Sequence, residues 1–161
     1  MDADKLKGLA VVSLAEGARL GRITDLLFET APLRVAALRA RGDGGDFVLP
    51  FARVRNVGTD AVTVESSQET QIASAGTAFD GLVGLGQLEQ LKVVDDVGTL
   101  LGTVRTVELD PATGRVTRLV AHQGGVLGLG GTSTPVAVAA IRSFGTDVLT
   151  VATAATTEPS A

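Results

Sequence analysis

The chain repeats itself, and this constrains its fold more than any single motif does. NVGTDAVTV, starting at Asn56, returns as SFGTDVLTV, starting at Ser143. Gly58, Thr59, Asp60, Thr63 and Val64 recur as Gly145, Thr146, Asp147, Thr150 and Val151, an offset of 87. Upstream, EGARLGRITDLLFE matches VGTLLGTVRTVELD, with Gly17, Leu20 and Gly21 recurring as Gly98, Leu101 and Gly102 at an offset of 81. Two matched blocks in the same order mark an internal duplication, and the second copy carries six more residues between the blocks.

Those six fall in a glycine-rich stretch. Copy one has RGDGGD, Arg41 to Asp46, where copy two has GGVLGLGGTSTP, Gly124 to Pro135. Each lies between a β-rich run (RVAALRA; RVTRLVA) and a short apolar run (FVLPF; PVAVAA), which is the setting of a hairpin. A phosphate loop would need a helix start directly after the glycines, with a Lys and a Ser or Thr on it. No Lys follows Lys92, and PVAVAA reads as strand, so the stretch is expected to be an elongated hairpin.

Each copy opens with a short strand, LAVVS (Leu9 to Ser13) and LKVVD (Leu91 to Asp95). In the longer strand that follows, the matched apolar positions are Ile23, Leu26 and Phe28, then Val104, Val107 and Leu109. Their spacing is three then two, where an unbroken strand gives two and two, so an extra residue predicts a β-bulge at the same point of both copies. Val35, Leu38 and Ala40 repeat the device, as do Val116, Leu119 and Ala121. The intervening segments are ETAPL and DPATG, the latter a strong turn signal. A short strand, an irregular turn, the Gly-Thr-Asp turn and a last strand (AVTV; VLTV) complete each copy.

The expected fold class is therefore all-β, two tandem small barrels with bulged strands. The expected boundaries are residues 5–65 for the first barrel, 66–87 for a linker with room for a short turn of helix, 88–152 for the second barrel and 153–161 for a patternless tail. Each barrel alone has a marginal core, so the two are expected to pack against each other. Leu27 and Val120, which strand parity points away from their own cores, are the residues expected in that contact.

The blocks KLKGLAVVSLAEGARLGRITDLLFE and FVLPFARVRNVGTDAVTV, with GTLLGTVRTVELDPATGRVTRLV and TPVAVAAIRSFGTDVLTV, resemble the PRC-barrel family. The likeness covers the chain outside the linker and tail, and the family often has a Gly-rich run where GGVLGLGG stands. It marks glycines and core positions, not a reactive group. The resemblance implies a non-catalytic interaction module, like the cytoplasmic domain of the photosynthetic reaction-centre H subunit or the second domain of a bacterial ribosome maturation factor. Neither a transmembrane helix like the first's nor a companion domain like the second's is expected from this sequence, so neither specific role is expected to transfer. The expected function is protein–protein scaffolding through a still unidentified partner, with a homo-oligomer left open. The alternatives are an accessory role in ribosome assembly or RNA metabolism through protein contacts, and peripheral contact with a membrane or photosynthetic-type complex.

Composition narrows the chemistry. The chain has no Cys, which removes disulfides and thiolate chemistry. A net charge of −4, with neither Trp nor Tyr, argues against direct nucleic-acid binding. The opening MDADKLKG lacks an apolar run ahead of a cleavage site, so a cytoplasmic location is expected. His122, the only histidine, takes the place of Arg41 in the other copy, with no base-and-nucleophile constellation around it. Asp60 and Asp147 recur in turns, where Asp bonds local backbone. Asp95 and Asp96 read as a solvated turn, because at the offset of 81 they fall on Leu14 and Ala15. Asp110 to Gly114 lacks the ligand series of a calcium loop. No enzyme activity, cofactor or metal is expected. Residues 1–65 hold nine Lys/Arg and nine Asp/Glu, and residues 66–161 hold five and nine. Arg22, Arg39 and Arg41 share an outward parity on neighbouring strands. They form either a solvated face or a patch for an acidic protein or lipid headgroups, and with Leu27, Val120 and His122 they make the candidate interaction surface.

Overall fold

The computed structural model describes residues 1–72, 79, 81–126 and 129–152. The chain forms two compact units, Met1–Leu85 with Asp110–Arg115, and Gly86–Leu109 with Val116–Ala161.

The first unit holds β1 (Ala10–Ser13), β2 (Ala18–Thr30), β3 (Leu33–Gly42), β4 (Gly45–Pro50), β5 (Val54–Val57), β6 (Ala61–Val64), β7 (Gln71–Ile72) and β8 (Val83–Gly84). Its sheet runs β5-β6-β1-β2-β3-β4-β7, with β8 added to β2. The second unit holds β9 (Lys92–Asp95), β10 (Leu100–Leu109), β11 (Val116–Val126), β12 (Leu129–Ala137), β13 (Ile141–Phe144) and β14 (Val148–Val151), in the order β13-β14-β9-β10-β11-β12. The six strands of the repeat follow one path in both units. In each, the first strand pairs parallel with the last, β1 with β6 and β9 with β14.

The bulges stand where the three-then-two spacing puts them. Ile23 pairs with Ala40 and Asp25 with Arg39, leaving Thr24 extra; Val104 pairs with Ala121 and Thr106 with Val120, leaving Arg105 extra. One turn further, Ala36 and Thr117 are the extra residues on the neighbouring strands. Each bulge swings the following residues back onto the inner face and adds twist, which curls a small sheet around its core. Ile23, Leu26, Phe28, Val35, Leu38 and Ala40 are all buried, as are Val104, Val107, Leu109, Val116, Leu119 and Ala121. Full burial of one Leu side chain contributes about 1.5–3 kcal/mol.

The glycine stretch is a hairpin. In copy one the last pair is Gly42 with Gly45; in copy two it is Val126 with Leu129, after Gln123 with Thr132 and Gly124 with Gly131. The six extra residues thus lengthen both strands equally; residues 127 and 128, between the last pair, lie outside those described. The DPATG turn is closed by Gly114 N–H donating to the Asp110 carbonyl at 2.7 Å and by Ala112 N–H donating to Asp110 Oδ1.

The segment 66–87, expected as a linker, belongs to the first unit through Leu85. It holds a 3-10 turn at Ser67–Glu69, then β7 on β4 and β8 on β2. Phe79 and Leu82 pack on Leu27, Ala37 and Val48. Leu27 is therefore 5% exposed beneath its own unit's chain, and is a core residue, not part of an interaction surface. Its outward apolar side chain required a cover, and the returning segment supplies it. The expected tail, 153–161, lies outside the described residues.

Candidate functional site

The three long strands of each unit present one outer face, and their pairing sets its rows. In the first unit Arg22 lies opposite Arg41 and Arg41 opposite Asp46; Asp25 lies opposite Arg39 and Arg39 opposite Val48; Leu27 lies opposite Ala37 and Ala37 opposite Pro50. The apolar end of this face is the part covered by Phe79 and Leu82. The charged end is open, with Arg22, Arg39, Arg41 and Asp46 exposed.

Arg41 Nε donates to Asp46 Oδ1 at 2.7 Å. This bond, followed by the charges of Arg41 and Arg39, holds the Asp46 carboxyl below its ordinary range, and the same bond raises the Arg41 guanidinium. Arg22 Nη1 donates to the Gly8 carbonyl at 2.9 Å. Arg19, Arg22 and Arg41 line one cleft of about 420 Å³ with Leu20, Gly21 and Asp43.

The same rows in the second unit are different in character. Thr103 lies opposite His122 and His122 opposite Ser133; Thr106 lies opposite Val120 and Val120 opposite Pro135; Glu108 lies opposite Arg118 and Arg118 opposite Ala137. His122 Nδ1 lies 3.0 Å from Ser133 Oγ, and Arg118 Nε donates to Glu108 Oε2 at 2.6 Å. His122 and Val120 are half-buried. The six candidate residues are thus divided: Arg22, Arg39 and Arg41 form one open patch, Val120 and His122 lie on the other unit's face, and Leu27 is core.

Asp95 corrects the reading of a solvated turn. It is 7% exposed, and its Oδ1 accepts from Val97 N–H and from Thr99 N–H at 2.8 Å. Strand pairing sets its counterpart: Val151 lies beside Asp95 as Val64 lies beside Ser13. Ser13, also buried, receives Glu16 N–H on its Oγ. The turn after β1 and the turn after β9 differ by one residue, so counting at the offset of 81 slips by one here. Both residues anchor the following turn from inside.

Sequence reasoning missed one tie altogether. The Glu16 carboxylate accepts from Ser13 Oγ, from Ser67 Oγ at 2.5 Å and from Ser67 N–H at 3.1 Å, and these bonds lower its pKa. No local pattern joins residues so far apart in the chain. The Gly-Thr-Asp turns read correctly as turns: Gly58 N–H donates to Ala61 O and Gly145 N–H to Val148 O, both at 2.9 Å, and Asp60 takes the Thr59 hydroxyl. Among the described residues, no three His, Asp or Glu side chains are placed to hold a metal ion, and no helix is long and apolar enough to cross a membrane.

A search of curated proteins returns no match. The family model for the PRC-barrel domain matches residues 1–71 and again residues 80–156. With that match falling once on each copy of a shared six-strand path, the chain belongs to the PRC-barrel family as a tandem duplication.

Proposed function

We propose that this chain is a cytoplasmic, non-catalytic interaction module whose two barrels present different faces to protein partners. One observation supports this reading above the others. Strand order and bulge positions are common to both units, while the outer face of the long strands is arginine-rich in the first and largely neutral at the matching end of the second. Core positions kept alike and outer positions driven apart fit surfaces with separate binding tasks.

The test is affinity capture of the full-length chain from native lysate, read by mass spectrometry. Arg22→Glu/Arg39→Glu and Thr132→Arg/Ser133→Arg should each lose a different subset of captured proteins while melting as the parent does. Capture that ignores both changes overturns the reading. Ribosomal proteins in the set favour the ribosome-assembly alternative, and membrane-complex subunits favour the peripheral one. For the absence of catalysis, the measurement is thermal melting across nucleotides and divalent metals. A ligand-induced rise that His122→Ala erases would count against it.

A further inference from the structure

We propose that the cleft beside β2 and β3 of the first unit, lined by Arg19, Arg22 and Arg41, seats an acidic segment of a partner polypeptide. This rests on the interaction-module reading and names the chemistry of one partner.

Arg22 and Arg41 stand directly opposite each other across β2 and β3. Like charges in that relation destabilise a strand pair. Of the three, Asp46 pairs with Arg41; among the described residues neither Arg19 nor Arg22 has a carboxylate within ion-pair distance. The fold does not demand these cations. Leu100, Thr103 and His122 hold the same pairing positions in the second unit, and its strands follow the same path. A cationic cluster that the twin barrel does without, with two of its three guanidiniums lacking a carboxylate, is accounted for by an anionic ligand.

The surrounding charges select the ligand. Arg presents a planar fork of N–H donors that matches a carboxylate with two bonds. The cleft, about 420 Å³ and open to solvent, has room for a few side chains. Asp43 lines it and Asp46 flanks it, and residues 1–65 carry equal numbers of each charge. A phosphate-rich surface would meet those carboxylates without a compensating positive field. A single acidic peptide segment brings far fewer negative charges against Asp43 and Asp46 than such a surface does.

The experiment is fluorescence anisotropy with the full-length chain and a fluorescein-labelled hexaglutamate peptide, at about 20 mM salt where screening is weak. Saturable binding that weakens as salt rises is expected. Arg19→Glu/Arg22→Glu should weaken it about tenfold or more, and Arg105→Glu on the second unit should leave it within about twofold. Circular dichroism checks that both variants fold. The proposal is overturned by no saturable binding, or by equal loss in Arg105→Glu. It is also overturned by binding to phosphatidylserine vesicles that exceeds binding to the peptide. A dimer in sedimentation that Arg19→Glu/Arg22→Glu abolishes overturns it in favour of self-association. Captured partners indifferent to these substitutions would remove the cleft from the interaction-module reading while leaving that reading intact.

Discussion

Gly102 lies against the backbone carbonyl of His122 so closely that a β-carbon on it would sit 2.6 Å from both the carbonyl carbon and its oxygen. Its φ of +137° is one that side-chain-bearing residues rarely adopt. Gly21 repeats the approach in the first unit, where a β-carbon would lie 2.5 Å from the Arg41 carbonyl oxygen. The recurring glycines of the long strands therefore serve strand-to-strand contact at the bulged part of the sheet.

Gly102→Ala should accordingly destabilise the second unit by about 3 kcal/mol or more, from positive-φ strain added to overpacking. Gly98→Ala meets open space and has only its φ of +88° against it, so about 1–2 kcal/mol is expected. Urea denaturation of both variants provides the comparison, and equal losses would contradict the close-approach argument.

Leu27 and Phe79 should behave as one packing unit. Leu27→Ala is expected to cost about 2–4 kcal/mol, and a double-mutant cycle with Phe79→Ala to show coupling of about 0.5 kcal/mol or more. Additive losses would mean that the segment through Leu85 does not cover this face. Hydrogen exchange at Val83 and Gly84, which pair with Phe28 and Leu27, gives a second readout.

Asp95→Ala removes the acceptor of two turn amides in a buried place and should cost about 1–3 kcal/mol. Asp95→Ser installs the residue that the twin position uses, and should recover part of that loss in the same denaturation assay. Identical behaviour of the two variants would separate the positions that strand pairing makes equivalent.

Acid should weaken the first unit through Glu16. Its folded pKa is lowered, chiefly by the hydroxyl of Ser13 and then by Ser67, so the ionised form is favoured on folding. The stabilisation is fully present above its ordinary value of 4.5 and is lost as pH falls through the lower folded value. Melting temperature against pH for the parent and Glu16→Gln measures this. The two curves should converge toward acid, and a constant gap across that window would place the effect elsewhere.

Reading the strands worked because their information is local. The three-then-two spacing at Ile23, Leu26 and Phe28 records a bulge within a handful of residues, and its recurrence at Val104, Val107 and Leu109 confirms the geometry from an independent copy. The glycine hairpin was equally accessible, because strand runs bracket it and no helix-start signal follows. Asp95 was misread for the same reason in reverse: counting assumes a constant offset, and a one-residue difference between two turns breaks it.

That a barrel is doubled, where its strands bend and which glycines recur are all legible along the chain, since side-chain period and backbone sterics act between near neighbours. What covers Leu27, what Glu16 binds and which arginines share a cleft emerge on folding. Those outcomes depend on chain returning from tens of residues away, and hydrophobic burial is non-directional, so no local pattern announces which segment arrives.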